Sequence, residues 1–539
     1  MNEKSDGTDS ICLTLFCVDR IAGWRGAFAR AAATNGLMSH ERGASLCVWN
    51  PRDVGSCGQE LSYVDGWIIV RQWLGPKQNG ISINPHRFYF ESSPEVPSAK
   101  PEREIVAEAA PKRPSVAERI KSCFNLASVL ADHIDGFDAK PNRMAHCERE
   151  VHKHTALLLG GGSVAPAGES LGTLLMKHGF FEVPEGLGVV IAAQDIKHQA
   201  VIGYRQEVEA ALRRCGIQGD VLIVSLLKVA ERLDALDRGS KKKKSAKALL
   251  IGIPGRRGEA LPSAIEGVLN RLDDRQLSYR LFSIDNKSLE WSAFDQLGSL
   301  LQATGGVPYS LQLPWPAEVR SPVCLGVDIG HPLSSRESWL ALSLVDSRGV
   351  HLGSWRCLQP RDETARIETL AKGLTWVKDA ISGHGRQNSD VLVFRDGRLH
   401  FGEKVATYAE ALGGRVSFVE IAKNHNPVMF IIGDDPKPVG PGTVCFPESS
   451  VTSFIVPISP TSEKHLPRTL KIHMRAEWDS LGLGIKRVAS LTAGLSFSPS
   501  LGLRPHGLPA PIYWANGIAS IGPRNRQFGG QKYIEELID

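Results

Sequence analysis

Two short apolar segments decide the fold of this chain, namely Val323-Cys324-Leu325-Gly326-Val327-Asp328-Ile329-Gly330-His331-Pro332 and Val391-Leu392-Val393-Phe394-Arg395-Asp396-Gly397-Arg398. Each is predicted to form a β-strand, because a short apolar run is followed by turn residues. Each also carries one aspartate, Asp328 or Asp396, near the end of the strand. A carboxylate beside a buried strand is costly unless its charge is compensated. The two aspartates are therefore either turn formers and helix caps, or ligands of divalent cations.

Four segments, in this order along the chain, resemble parts of Argonaute proteins. Ala303-Thr304-Gly305-Gly306-Val307-Pro308-Tyr309 resembles the passage from the MID domain into the PIWI domain. Three later segments resemble the PIWI domain itself: Gly326–Pro332, Arg395–Gly397 and Leu508–Asn516. The resemblance covers roughly residues 160–539. It implies an α/β fold with a Rossmann-like MID domain and an RNase H-like PIWI domain. Outside the resemblance, residues 11–95 mix short apolar strands with turns, which predicts a small α+β region or half of an interface with a partner.

The resemblance also implies a catalytic set, which consists of Asp328, Glu363, Asp396 and Asn516. Glu363 matches the glutamate that PIWI domains place between the two aspartates. It is equally suited to be an acidic helix N-terminus, and Glu368 is its rival. Asn516 stands where the family has Asp, His, Asn or Lys, and its amide oxygen can ligate Mg²⁺ without contributing charge. We expect Asp328, Asp396 and Asn516 to hold two Mg²⁺ or Mn²⁺ ions, an arrangement used to hydrolyse phosphodiesters.

Residues 187–284 alternate between predicted strands and helices, which favours a parallel, doubly wound sheet. The predicted strands are Leu187–Ala192, Val221–Val224, Ala248–Ile253 and Tyr279–Ile284, with helices near 204–215 and 263–273. In Argonautes the MID domain has such a fold and holds the 5′ end of the guide strand.

The guide pocket departs from the pattern of the family. The usual pair of guide-binding residues is missing from the helical segment Ser263–Arg271, and Ala303 replaces the usual lysine. Arg280 and Lys287 are the remaining candidates for binding the 5′ end, together with a helix N-terminus. The pocket is therefore either built differently or suited to a guide without a 5′-phosphate.

Four basic residues of the C-terminal half are predicted to contact a nucleic-acid backbone: Lys423, Lys471, Arg475 and Arg504. Lys423 begins Lys423-Asn424-His425, which resembles a family segment near the guide. Each of these side chains is alternatively a plain surface charge. The same two interpretations apply to Lys241–Lys244, which is predicted to be an exposed loop because four like charges repel one another.

The composition is that of a globular protein, with 42% hydrophobic and 22% charged residues. A net charge of +5 permits nucleic acid as a partner without requiring it. The ten cysteines form no CxxC pair, so we expect reduced thiols rather than a disulfide framework. Cys147, His152 and His154 lie close together, but no second cluster at metal-ligand spacing accompanies them. The first apolar run is too short for a signal peptide or a membrane span, and we expect a cytoplasmic location.

The predicted domains are an N-terminal α+β region of unknown role at 1–95, a linker and helical connector at 96–185, the MID-like domain at 186–315 and the PIWI domain at 316–539. The linker rests on the proline-rich stretch 92–114. After it, Ser115 and Glu118 have the spacing of a capping box at the start of a helix over 115–134.

The resemblance implies guide-directed binding and metal-dependent cleavage of a complementary DNA or RNA strand, in defence against invading nucleic acid. The expected partners are a guide oligonucleotide and its target strand. The alternative is a catalytically inactive protein that binds a guide and recruits or activates a separate effector, since compact members of the family without a PAZ domain often work with a companion protein. A third interpretation is an RNase H-like nuclease that needs no guide.

Overall fold

The computed structural model describes residues 11–18, 23–56, 62–75, 78–90, 97, 113–144, 146–184, 188–214, 217, 219–229, 247–253, 263–274, 279–284, 293, 296–298, 301, 304–331, 336–362, 364–400, 403–447, 451–458, 466–520, 527–528, 531–532 and 534–536. Two predicted site residues, Glu363 and Lys287, lie outside the described residues, as do Ala303, Lys241–Lys244 and most of 92–114. Among the described helices, none is both long enough and apolar enough to cross a bilayer.

The chain divides into two compact units, each assembled from segments that are distant in sequence. The first unit comprises Met1–Val151, Ile421–Met474 and Gly484–Ala489. The second comprises His152–Glu420, Arg475–Leu483 and Ser490–Asp539.

The N-terminal part of the first unit is a sheet packed against two helices. Its elements are β1 (Ile11–Leu13), β2 (Leu15–Cys17), α1 (Trp24–Thr34), β3 (Met38–Arg42), β4 (Ser45–Trp49), β5 (Gly55–Ser56), β6 (Ser62–Gly75), β7 (Gln78–Phe90), α2 (Val116–Ala131), β8 (Asn142–Arg143) and β9 (His146–Glu148). The strand order is β2-β7-β6-β4-β3, with the long β6–β7 hairpin in the middle. Apolar residues of both helices, including Phe28 and Leu126, share one core with Ile69 and Ile83 of the hairpin.

Helix α2 begins with the predicted capping box. The Ser115 hydroxyl accepts the Glu118 N–H at 3.2 Å, and the Glu118 carboxylate accepts the Ser115 N–H at 2.7 Å. These two bonds satisfy backbone donors that the first turn of a helix otherwise leaves unpaired. The helix predicted over 115–134 is confirmed, with observed bounds of Val116 and Ala131.

The second unit begins with the end of the predicted connector and continues with the region 186–315 that was predicted to be MID-like. Its elements are β10 (Ala156–Leu158), β11 (Val164–Pro166), α3 (Leu171–His178), β12 (Gly188–Ala193), α4 (Gln199–Arg214), β13 (Val221–Ser225), β14 (Lys247–Ile253), α5 (Ser263–Asp274), β15 (Tyr279–Ser283) and β16 (Ser310–Gln312). Four strands form an all-parallel sheet in the order β13-β12-β14-β15. This arrangement confirms the doubly wound sheet that the strand–helix alternation predicted.

The second unit continues with a larger mixed sheet, built by the two segments that open the sequence analysis. Its elements are β17 (Val323–Gly330), β18 (Glu337–Asp346), β19 (His351–Pro360), α6 (Ile367–Gly383), β20 (Val391–Asp396), α7 (Val405–Leu412) and β21 (Val416–Ala422). The strand order is β19-β18-β17-β20-β21. Strand β17 runs antiparallel to β18 and parallel to β20, so that the first half of the domain is a meander and the second half is wound through helices.

The remaining elements belong partly to the first unit and partly to the second. They are β22 (Met429–Ile431), β23 (Lys437–Pro438), β24 (Thr443–Phe446), β25 (Thr452–Val456), β26 (Leu470–His473), α8 (Gly484–Leu495), α9 (Ala510–Ser520), β27 (Gln527–Phe528), β28 (Gln531–Lys532) and β29 (Ile534–Glu536). In the first unit, β22 pairs with β1, and β24 pairs with both β25 and β9. In the second unit, β29 pairs in parallel with β19.

The two faces of strand β17 have opposite compositions. Because successive side chains of a strand point to opposite faces, Val323, Leu325 and Val327 lie together on one face. There they join a core that includes Leu374 of α6 and Tyr408 of α7. The other face of β17 carries small or polar residues at alternating positions, namely Cys324, Gly326, Asp328 and Gly330. The polar side chain that β17 contributes, Asp328, therefore lies on the second face.

Candidate active site

Strand pairing places Asp328 and Asp396 at the same level of the sheet. The parallel register of β17 and β20 runs from Val323 opposite Val391 to Val327 opposite Arg395. The register ends at that pair, and Asp328 and Asp396 are the residues that directly follow it in the two strands. Residues paired in this way point to the same face, and adjacent strands lie about 4.8 Å apart. The structure thus brings the two predicted aspartates together although they are far apart in sequence.

Helix α9 crosses the face that carries Asp328. A Cβ added at Gly326 would overlap the Pro511 carbonyl, and one added at Gly330 would overlap the Ala519 carbonyl. The helix backbone therefore lies against β17 on both sides of Asp328. The side chain of Asp328 is 6% exposed, and one of its carboxylate oxygens accepts the Ile329 N–H at 2.8 Å.

The rotation of α9 brings Asn516 toward the side of β20. Trp514 stacks on His351 of β19, with ring centroids 4.7 Å apart, so this flank of the helix faces the β18–β19 side. An α-helix turns by about 100° per residue, so Asn516 lies roughly opposite Trp514 on the helix. That flank faces β20, which α9 also contacts. Asn516 is half-buried there.

A buried ion pair between Arg395 and Glu403 holds strand β20 in place. The Arg395 guanidinium donates from Nε and Nη2 to the Glu403 carboxylate at 3.1 Å each, and the side chains are only 3% and 0% exposed. Burial by itself lowers the pKa of Arg395, but attraction and hydrogen bonding to Glu403 more than offset this, so its pKa is raised. Arg395 also donates to the carbonyl of Asp396. The ion pair thereby holds the end of the strand from which Asp396 projects.

The same glutamate binds the backbone shortly after Glu363. Glu403 accepts the Ala365 N–H at 2.9 Å. Gln359, which is fully buried, donates to the Thr364 carbonyl at 3.0 Å and accepts the Arg366 N–H at 3.2 Å. The described residues that follow Glu363 are therefore fixed to the domain, and on its other side the Ser338 hydroxyl contacts the Asp362 carbonyl at 3.4 Å. Sequence reasoning missed Glu403, Gln359 and Ser338, because nothing in their local pattern marks them.

The rival glutamate lies in a different setting. Glu368 is in the first turn of α6 and is exposed. Helix α6 covers the apolar face of the sheet, opposite the face of Asp328. Glu368 is therefore placed to stabilise the helix N-terminus, as its position relative to the helix dipole suggests.

The candidates for guide binding are only partly described. Helix α5 spans Ser263–Asp274, which includes the segment without the usual guide-binding pair. Arg280 lies half-buried on β15, the edge strand of the parallel sheet. Lys287 is outside the described residues.

The Lys423–His425 segment is a fixed turn in the first unit. His425 has a φ of 57°, in the left-handed region, and its carbonyl accepts three side-chain bonds. The donors are Gln72 at 3.0 Å, Asn84 at 3.1 Å and Ser82 at 3.3 Å. Three bonds to one carbonyl hold the turn in place, so that Asn424 and His425 remain exposed and Lys423 is half-buried.

The other predicted backbone contacts are in different environments. Lys471 is 7% exposed and donates to the Trp73 carbonyl. It therefore stabilises the fold of the first unit and does not lie on an open surface. Arg475 is exposed and lies 4.8 Å above the Trp478 ring. Arg504 is exposed.

The proposed metal ligands are the kind that Mg²⁺ and Mn²⁺ prefer. Two carboxylates and an amide supply oxygen donors only, which suits these hard cations. Among the described residues no group of three or more His, Cys, Asp or Glu forms a candidate metal site, and Glu363 is not among those residues. The described part of the site therefore has two charged candidate ligands and one neutral candidate.

Comparison with known proteins identifies the fold. No protein-family model matches the chain, and no curated protein sequence matches it. Among solved structures, Drosophila Piwi matches with a TM-score of 0.63 and 14% identity, over 92% of this chain and 83% of Piwi. The Aquifex aeolicus Argonaute matches with a TM-score of 0.59 and 13% identity, over 95% of this chain and 97% of that one. The same Argonaute in a structure with externally bound siRNA gives a TM-score of 0.60 and 12% identity.

The chain has the fold of Argonaute and Piwi proteins, including the MID and PIWI architecture that the motifs predicted. This likeness concerns the fold, since the identities are far below those at which function is shared reliably.

Proposed function

We propose that this protein binds a guide oligonucleotide and cleaves a complementary strand with divalent cations held by Asp328, Asp396 and Asn516. The placement of the two aspartates directly after the last pair of two neighbouring parallel strands supports the proposal most strongly. Turn formers or helix caps have no need to follow neighbouring strands of one sheet. Carboxylates on neighbouring strands repel each other, and a cation between them removes that repulsion.

The chain's own residues would hold the cations and the scissile phosphate in a dry environment. Asp328 is nearly buried under α9, and a low-dielectric setting strengthens its attraction for a cation. When bound, Mg²⁺ or Mn²⁺ neutralises the carboxylates, stabilises charge on the phosphate and lowers the pKa of water. The Arg395–Glu403 pair and Gln359 would keep Asp396 and the loop of Glu363 in place.

A guide and target would be gripped through their phosphates, because a pairing-directed enzyme needs no base-specific contact from the protein. Lys423 begins a turn that is fixed by three hydrogen bonds, which reduces the entropy lost when it binds a ligand. Arg475 and Arg504 are exposed and charged. Defence against invading DNA or RNA is the role that such cleavage would serve.

Cleavage tests the proposal directly. The purified protein is incubated with a guide, a labelled complementary strand and Mn²⁺, and the cut position is mapped. Asp328→Asn and Asp396→Asn should each abolish cleavage, since either change removes a charged ligand without changing side-chain volume. Asp379→Asn is the matched control, because Asp379 is an exposed residue of α6. It makes the same charge change and should cut as the wild type does.

Cation binding provides a readout that does not depend on activity. Mn²⁺ should raise the midpoint of thermal unfolding of the wild type and of Asp379→Asn, but not that of the two site variants. Guide binding without any cleavage, in a wild type that does not respond to Mn²⁺, would favour the inactive protein that works through an effector. Cleavage that needs no complementary guide would favour the unguided nuclease.

A further inference from the structure

A pair of cysteines in the first unit has a geometry that the function proposed above does not use. Cys147 lies on β9 and Cys445 on β24, and the two residues are directly opposite each other in an antiparallel pair. Their sulfur atoms are 2.6 Å apart. Directly opposite residues of antiparallel strands have Cα atoms about 4.5–5.5 Å apart, which is within the range that a disulfide spans.

The surroundings of the two thiols differ in a way that suits sequential oxidation. Cys147 is half-buried on the edge strand of its sheet, where a small molecule can reach it, whereas Cys445 is fully buried. The hydrogen bond with Cys445, and then the positive charge of Arg149, lower the pKa of Cys147 below its ordinary value. The same contact, together with burial, raises the pKa of Cys445. Of the two thiols, Cys147 is therefore the one that ionises more readily.

We propose that Cys147 and Cys445 form a disulfide when the protein meets a hydroperoxide, ROOH. The Cys147 sulfur attacks the terminal peroxide oxygen and the O–O bond breaks, which gives a sulfenic acid and releases ROH after protonation. The Cys445 thiol then loses its proton, and its sulfur attacks the Cys147 sulfur. The S–OH bond breaks and water leaves. In total, two thiols and one ROOH become a disulfide, ROH and water.

The crosslink would fix the end of the first unit's N-terminal segment to β24. Cys147 and Cys445 are 298 positions apart, so the bond joins distant parts of the sequence. Strand β9 is only three residues long, and the first unit's N-terminal segment ends at Val151, shortly after it. A short edge strand held by few backbone bonds opens easily, and a covalent bond to β24 prevents this opening. Oxidation should therefore protect residues 146–148 from hydrogen exchange and raise the midpoint of thermal unfolding.

Peptide mass mapping tests the proposal. The reduced full-length protein is treated with a small excess of hydrogen peroxide, alkylated and digested without reductant. We expect one crosslinked species that joins the peptide of Cys147 to that of Cys445 and weighs two hydrogens less than the two reduced peptides together. Cys147→Ser should abolish it. Cys445→Ala should leave a sulfenic acid at Cys147, trapped by dimedone.

Cys17→Ser is the matched control, because Cys17 is an exposed thiol and its loss should leave the crosslink unchanged. Peroxide treatment that yields no Cys147–Cys445 crosslink in the folded wild type would overturn the proposal. A crosslink from Cys445 to the neighbouring Cys12 would overturn it equally. The readout is a mass, so it does not depend on whether the protein cleaves nucleic acid.

Discussion

The buried Arg395–Glu403 ion pair gives the sharpest stability prediction. Arg395 also donates to the carbonyl of Asp396, a proposed metal ligand. Replacing Glu403 with alanine would leave the Arg395 charge almost fully buried without its carboxylate partner. Removing one partner of such a pair costs about 3–5 kcal/mol, mostly because the remaining charge stays desolvated. The Ala365 N–H would lose its acceptor as well.

Two further substitutions separate the charge from the hydrogen bonds. Glu403→Gln keeps an acceptor for Ala365 but loses the charge, so we expect a smaller loss of about 2 kcal/mol. In the double variant Arg395→Met with Glu403→Ala, no buried charge is left unpaired. The double variant should therefore lose less unfolding free energy than Arg395→Met alone and Glu403→Ala alone lose in sum. We expect a coupling energy of about 2 kcal/mol or more.

The assay is urea unfolding of each variant, followed by far-UV circular dichroism, which reports on both units. Asp435→Ala serves as a control, because Asp435 pairs with Lys121 at 2.8 Å but is 79% exposed. Exposed pairs contribute only about 0–1 kcal/mol, so this variant should scarcely change the unfolding free energy. Equal losses for Glu403→Ala and Asp435→Ala, or strict additivity in the double variant, would refute the reasoning.

Three further predictions concern single sites. Gly326→Ala should cost about 1–3 kcal/mol in urea unfolding because its Cβ overlaps the Pro511 carbonyl, whereas Gly267→Ala, in open space on α5, should gain about 0.5–1 kcal/mol. Burial lowers the pKa of His351 from 6.5 to about 3. Between these two pH values the imidazole is therefore protonated in the unfolded chain but neutral in the folded protein. Stability should fall by about 2 kcal/mol from pH 7 to pH 5, and His351→Phe should remove that part of the pH dependence of thermal unfolding. Ser115→Ala should cost about 1 kcal/mol, measured by urea unfolding of the first unit, because it breaks the capping box.

The sequence predicted those parts of the fold that are encoded locally. The parallel strands near residues 188–193 and 249–253 are continuous apolar runs, which is typical of strands covered on both faces. Helix α2 begins at Val116 because its capping residues stand at the required spacing. In these segments, local pattern and final structure agree.

The parts that sequence reasoning missed depend on contacts between distant residues. Ile11 of β1 pairs with Ile431 of β22, and no local pattern indicates that partner. Glu403 is one charged residue among many in the sequence, and only the fold shows that it lies against Arg395 and Ala365. The cysteine pair was likewise invisible, because Cys147 and Cys445 become neighbours only when β9 joins β24.

The composition of β17 explains why the candidate site lies where it does. The face with Leu325 and Val327 is filled by α6, so a charged group there would displace a packed core. On the other face, Gly326 and Gly330 let the backbone of α9 approach the strand closely on either side of Asp328. A larger residue at either glycine would push helix α9, and Asn516 with it, away from β17. The two glycines are therefore as necessary to the geometry of the site as the carboxylate between them, although they contribute no ligand atom.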